Sequence, residues 1–284
     1  VFGTSGWPGI LGDDFTCSNL RRVTRAVARY FCRETRNRMP RIFVGFDTRF
    51  LSEQFAREVV AVLAAEGVRP ILATACTPTP ALAHTVLHRK FDGGINLTAS
   101  HNPAEYSGMK LSTHDGAPAP TEVTQRVEEL VNDIRDGSAP SRLHSSKVTT
   151  LDPAPDYRKA VLKHVRSKII AQGKLKLVCD PVNGTGGGYL PPLLSRAKSL
   201  VTIRAQRDVT FGGLSPDCTE KQLSPLIQEV RRRRAHLGLA TDGDADRFGV
   251  VDRGGRFVPA NWVLALIADY LLETREARLG IART

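Results

Sequence analysis

Arg41-Ile42-Phe43-Val44-Gly45-Phe46-Asp47 is the stretch on which the fold turns. Its apolar run, closed by an acidic residue and the turn pair Thr48-Arg49, predicts a short buried strand. Residues from about 52 to 66 then carry helical spacing and stop near Gly67, and Arg69 to Ala73 reads as another strand. Thr77-Pro78-Thr79-Pro80 is a stiff loop before a helix of about 80–90, and Gly93-Gly94-Ile95-Asn96-Leu97 is a third apolar strand. Strands alternating with helices build a layered α/β unit.

The same pattern extends both ways. Upstream, Leu20, Val23, Val27, Tyr30 and Phe31 form the apolar stripe of a helix over about 19–35, with Ser18 placed to cap it. Downstream, a helix runs from a capping Thr121 to Arg135, and a polar, proline-punctuated link follows from Asp136 to Pro155. A second α/β unit then reads as a helix over about 156–171, a strand Lys174 to Cys179, the glycine-rich loop Gly184 to Gly188, a strand 200–205, a helix of about 220–235 and the strand Leu237 to Thr241. The glycine loop matches neither phosphate-binding fingerprint and reads as a tight turn into a helix. Arg253 to Arg256 forms a hairpin-like turn. Asn261 caps an apolar helix to about Thr274, and Leu279 to Arg283 begins another strand.

Composition narrows the function class. The 284 residues are 41% hydrophobic, enough for globular cores, and the longest apolar run, Trp262 to Leu272, is interrupted by Asp269. That is far short of the ~20 apolar residues of a membrane span, and no secretory signal pattern is visible. The five cysteines are scattered with no C-x-x-C pair, the pattern of reduced thiols in a cytoplasmic protein. Cys76 and Cys218 are the two considered for reactivity, with apolar packing the expected role. A net charge of +11 raises nucleic acid as a partner, and Arg231 to Arg234 form a basic run. Aromatics at 6% offer little for base stacking, so an anionic small molecule in a basic cleft is the more economical reading.

Two loops carry chemistry. After the strand ending at Leu97 comes Thr98-Ala99-Ser100-His101-Asn102-Pro103, continuing to Gly108-Met109-Lys110. Ser100 there suits a nucleophile or a phosphoryl carrier, with His101 and Lys110 for proton transfer or anion pairing; an ordinary polar turn has the same composition. After the strand ending at Thr241 comes Asp242-Gly243-Asp244-Ala245-Asp246-Arg247. Three carboxylates at alternate positions with small spacers suit a hard divalent cation, and Arg247 adds a planar fork for phosphate. A solvated acidic turn is the alternative; a helix-flanked calcium loop is disfavoured because strands flank this one.

These two loops, with the opening Phe2-Gly3-Thr4-Ser5-Gly6-Trp7, resemble the α-D-phosphohexomutases, in the same order and at similar intervals along essentially the whole chain. The resemblance implies an α/β fold of consecutive three-layer α/β/α domains with mixed sheets. It divides the chain into a phosphoserine-loop domain over 1–140, an aspartate-loop domain over 141–253 and an incomplete third domain over 254–284. It further implies Mg²⁺-dependent interconversion of hexose 1-phosphate and hexose 6-phosphate, glucose or mannose, with hexose 1,6-bisphosphate as intermediate and activator. Ser100 would carry the phosphoryl group, and Lys110, then His101, would serve as acid/base. The burden of lowering the Lys110 pKa falls on cations such as Arg247. The metal would lie among Ser100, Asp242, Asp244 and Asp246, while Thr4, Ser5, Arg49 and Arg247 bind phosphate. The alternative is a non-catalytic sugar-phosphate- or metal-binding remnant, since the family's sugar-recognition and last-domain phosphate loops have no counterpart here. Two positions depart from the family pattern: Pro8 replaces an arginine, and Ser107 replaces an asparagine that is expected in a turn.

Overall fold

The computed structural model describes residues 6–35, 39–134, 148–275 and 280. The first unit contains β1 (Trp7–Ile10), α1 (Cys17–Glu34), β2 (Arg41–Phe46), α2 (Ser52–Ala65), β3 (Arg69–Ala73), α3 (Thr79–Arg89), β4 (Gly93–Leu97), β5 (Tyr106–Ser112), α4 (Thr121–Asn132) and β6 (Thr149–Leu151). The second contains α5 (Ala154–His164), α6 (Ser167–Gln172), β7 (Lys176–Asp180), α7 (Leu190–Leu193), β8 (Ser199–Thr202), α8 (Ser224–Arg233), β9 (Leu237–Thr241), β10 (Phe248–Val251) and β11 (Phe257–Val258), followed by α9 (Ala260–Arg275).

Both sheets are mixed, as expected. The first has the order β1-β5-β4-β2-β3-β6, in which β4, β2, β3 and β6 are parallel and β5 alone runs opposite, pairing antiparallel with both β4 and β1. The second has the order β11-β10-β9-β7-β8, parallel at β9, β7 and β8. Every residue of β4 is buried, because helices cover both faces of a central parallel strand. Gly93 lies against Phe31 of α1 and Gly94 against Leu82 and Val86 of α3, on opposite faces. The α1 stripe of Leu20, Val23, Val27 and Phe31 joins Ile42, Phe43, Val44, Ile95 and Leu97 in one core.

Local chemistry shifts several element ends. Thr16 rather than Ser18 caps α1, accepting from Asn19 N, so the helix begins at Cys17. Pro120 precedes α4 and Thr121 is its first residue, with no side-chain cap, and the expected end at Arg135 lies outside the described residues. The single helix expected over 156–171 is two: Val165 is extended at φ −102° and ψ 128°. Neither piece has a fully buried residue, so no packing offsets the cost of the β-branched side chain in a helix. Asn261 lies inside the first turn of α9 rather than at its cap. The polar link contributes β6 to the first sheet, and β11 extends the second sheet to Val258. The strand expected over Leu279 to Arg283 falls almost wholly outside the described residues. Pro8 sits in edge strand β1, where a missing N–H costs no ladder bond to a further strand. Ser107 lies buried in β5, not in a turn.

Candidate active site

The chemistry-bearing loops leave the carboxyl ends of β2, β4, β7 and β9, where ligands bind in open parallel sheets. Ser100 is buried and has φ +53°, the left-handed region that costs a non-glycine residue about 1–3 kcal/mol and persists only where the surroundings impose it. Those surroundings are identifiable. Thr98 Oγ1 accepts from Ser100 N at 2.9 Å, and Asn102 N donates to Ala99 O at 3.0 Å. Arg49, fully buried, holds the rest: its guanidinium donates to the carbonyls of Ser100 (2.8 Å), Asn102 (2.6 Å), Pro103 (2.6 Å) and Tyr106 (3.0 Å), and Nε donates to Asp47 (3.1 Å).

That finding corrects an expectation. All five guanidinium hydrogens are taken, so Arg49 serves the serine loop and presents no free donor to a phosphate. Burial lowers its pKa and raises that of Asp47, each opposed by the other's charge.

Across from Ser100, Asp242, Asp244 and Asp246 offer carboxylate oxygens that all lie within 4.8 Å of one another. Ser100 Oγ donates to Asp242 Oδ2 at 3.3 Å. Burial, then the charges of Asp244 and Asp246, pushes Asp242 up to about 8. Asp244 moves the opposite way: burial would raise it, but Lys110, Thr79 and Ser100 hold it below the usual carboxylate range.

Lys110 departs from expectation in both place and state. It stands on β5 rather than in a loop, and its Nζ donates to Asp244 Oδ2 at 2.7 Å and Asp246 Oδ2 at 2.8 Å. Burial disfavours its charge, but the two carboxylates outweigh burial and raise its pKa. The net shift is therefore upward, opposite to the lowering expected from cations such as Arg247. His101 is half-buried, with its Nδ1 buried and without a hydrogen-bond partner, and burial followed by Arg247 lowers its pKa. Arg247 is exposed, 4.0 Å from Asp217, while its backbone N donates to Asp242 Oδ1 at 3.0 Å. Thr4 and Ser5 lie outside the described residues. Burial raises the thiols considered for reactivity, Cys76 to about 11 and Cys218 further, so both stay protonated and inert.

The two loops meet through backbone. A Cβ on Gly243 would stand 2.4 Å from Ser100 O, and one on Gly184 would stand 2.5 Å from Gly243 O. Thr185 N donates to Gly243 O at 2.9 Å. The glycine-rich loop is thus a packing device under the aspartates, consistent with the tight turn expected. Sequence reasoning missed Thr79, whose hydroxyl donates to Asp244 Oδ2, whose N donates to Asp244 O at 2.9 Å, and which accepts from Asn96 Nδ2 at 3.0 Å. The signal available was its position in the stiff loop at a strand's carboxyl end.

The donor set fits a hard cation. All candidate ligands are oxygens, and Asp244 Oδ1 is buried without a partner. Three clustered carboxylates need more positive charge than Lys110 alone supplies.

The chain is similar to known proteins along most of its length. Residues 1–137 match the family described as phosphoglucomutase/phosphomannomutase, alpha/beta/alpha domain I, and residues 155–255 match its alpha/beta/alpha domain II. A phosphoglucomutase/phosphomannomutase of Thermococcus kodakarensis is 32% identical over 96% of this chain and 59% of its own length. A phosphoglucosamine mutase of Caldicellulosiruptor bescii is 31% identical over 95% of the chain and 60% of its own length. A crystal structure from Thermus thermophilus, designated a phosphomannomutase, superposes with a TM-score of 0.88 at 32% identity, covering 99% of this chain and 62% of that one. The chain therefore spans less than two thirds of each of these relatives. No helix among the described residues is long and apolar enough to cross a membrane.

Proposed function

The chain belongs to the α-D-phosphohexomutase superfamily, and from that premise we propose that it carries the phosphoryl-transfer machinery of an Mg²⁺-dependent hexose-phosphate mutase of the cytoplasm. The observation that carries the reading is Ser100 Oγ, held in a buried left-handed turn 3.3 Å from Asp242 and facing three carboxylates.

In this reading Ser100 carries the phosphoryl group. A sugar hydroxyl oxygen forms the new bond to phosphorus as the bond to Ser100 Oγ breaks, giving a hexose 1,6-bisphosphate. The hydroxyl proton passes first to His101, because Lys110 is engaged by two carboxylates. After the sugar turns over, Ser100 takes back the other phosphate and the proton returns. Asp242, Asp244, Asp246 and the phosphate on Ser100 would hold Mg²⁺, which supplies charge neutralisation at the transferred group. Arg247, exposed beside them, pairs with phosphate. The substrate class is a hexose phosphate; relatives are named for glucosamine as well as for glucose and mannose, so no single sugar is favoured.

The test is phosphoryl loading. Incubation with glucose 1,6-bisphosphate and Mg²⁺ should add one phosphate to the Ser100 peptide by mass spectrometry, and none to Ser100→Ala. Binding of hexose phosphate and Mn²⁺ with no phosphoryl uptake at Ser100 would identify a non-catalytic binding protein instead.

A further inference from the structure

The second unit reaches into the first at the turn that carries Arg49. Arg207 Nε donates to Thr48 O at 2.9 Å, and its terminal nitrogen donates to Arg49 O at 2.9 Å. Four residues on, the Phe211 ring is buried with the Arg49 guanidinium carbon 5.0 Å from its centroid. Strained backbone lies at both turns: Phe211 has φ +53°, and Leu51, two residues after Arg49, has φ +58°. Strained turns facing each other persist only where their contacts impose them.

The terminal nitrogens of the same guanidinium grip the carbonyls of Ser100, Asn102, Pro103 and Tyr106. The Phe211 ring, the Arg49 guanidinium and the Ser100 carbonyl thus form one contiguous relay from the second unit to the serine. The hydrogen bonds of Arg207 and the ring of Phe211 fall on the Arg49 turn, on the serine side of the site. We infer that Arg207 and Phe211 are positioning residues for Ser100: they fix the Arg49 fork, and through it the left-handed turn that aims the serine hydroxyl at the aspartate loop. The inference rests on the mutase reading for its kinetic test but not for its structural one.

Two variants isolate the clasp. Phe211→Leu keeps apolar bulk and removes the ring face; Arg207→Ala removes the two carbonyl contacts from an exposed side chain. Losing a desolvated cation–π contact predicts an initial rate of Ser100 loading by glucose 1,6-bisphosphate that is about tenfold lower at saturation. The half-saturating concentration should stay within about twofold, and Phe211→Tyr should restore the rate, because its ring keeps the π face. Independently of chemistry, amide exchange across residues 98–106 should accelerate by a similar factor in Phe211→Leu while Gly93–Leu97 stays protected. Unchanged exchange in that loop overturns the clasp. Loading at the parental rate in both variants does so too. Failure of the parent protein to load phosphate counts against the mutase reading alone, and amide exchange then decides the clasp.

Discussion

Lys110 Nζ lies 2.7 Å from Asp244 Oδ2, and the contact joins a strand of the first α/β unit to a loop of the second. A second carboxylate, Asp246, lies 2.8 Å from the same ammonium, so one lysine partly neutralises a site built for a cation. Lysine and metal therefore compete for the same oxygens. Lys110→Met should bind Mn²⁺ at least tenfold more tightly, since a positive charge ~4 Å from the ion opposes binding by ~1 kcal/mol per unit charge pair even at the dielectric of water and by ~4 kcal/mol at an effective dielectric near 20. Asp244→Asn should lose binding altogether. Calorimetric titration reads both, and equal affinity in Lys110→Met and the parent would refute the competition.

Arg49 should be among the least replaceable side chains in the first unit. Replacing it with methionine leaves the Asp47 carboxylate buried alone and four loop carbonyls without their donor. Breaking a buried pair costs ~3–5 kcal/mol. Arg49→Lys should lose most of that as well, since a single ammonium cannot span the acceptors a planar fork reaches. Urea unfolding of the three proteins measures it, and a loss under ~1 kcal/mol in Arg49→Met would show that the fork is dispensable.

Much of this was legible in the sequence because burial and period leave a direct trace. The β4 run and the α1 stripe are apolar at the spacing their surroundings demand, and alternate aspartates announce a cation site. What was not legible depends on contacts between distant residues. Arg49 looks like any turn arginine until its partners 51 to 57 positions away are in place. Lys110 needed the pairing of β4 with β5, which sets Lys110 opposite Asn96, before its reach toward Asp244 could be known. Thr79 follows a strand's carboxyl end, but that position alone does not separate a ligand-orienting hydroxyl from a helix-starting one.

Gly243 should tolerate no side chain. A Cβ there would meet Ser100 O at 2.4 Å, a backbone atom already fixed by Arg49, and Pro216 at 3.2 Å. Gly243→Ala must push the aspartate loop away from the serine loop, at ~1–3 kcal/mol for overpacking. The expected result is a lower urea midpoint together with loss of Ser100 phosphoryl loading. Retention of full loading would mean that the two loops need not approach as closely as they do here.

The contact between α3 and α5 should make stability depend on pH. His84 stacks on His88 with ring centroids 5.3 Å apart, meets the edge of Tyr157 at 5.7 Å, and has a buried Nδ1 without a partner. Arg89 pairs with Asp156 beside them, and Tyr189 packs on the other side of Tyr157. Burial, then His88, lowers the His84 pKa from 6.5, with Asp156 opposing. The unfolded chain therefore binds this proton more readily than the folded one. Stability contributed by neutral His84 is present above pH 6.5 and falls as pH drops below it toward the depressed folded value. Between about pH 7.5 and about pH 5.5 the urea midpoint of the parent should fall relative to that of His84→Gln, which cannot titrate and which shares every other titrating group, Asp242 included. A difference between the two midpoints that stays constant across that window would show that His84 titrates alike in the folded and unfolded chains.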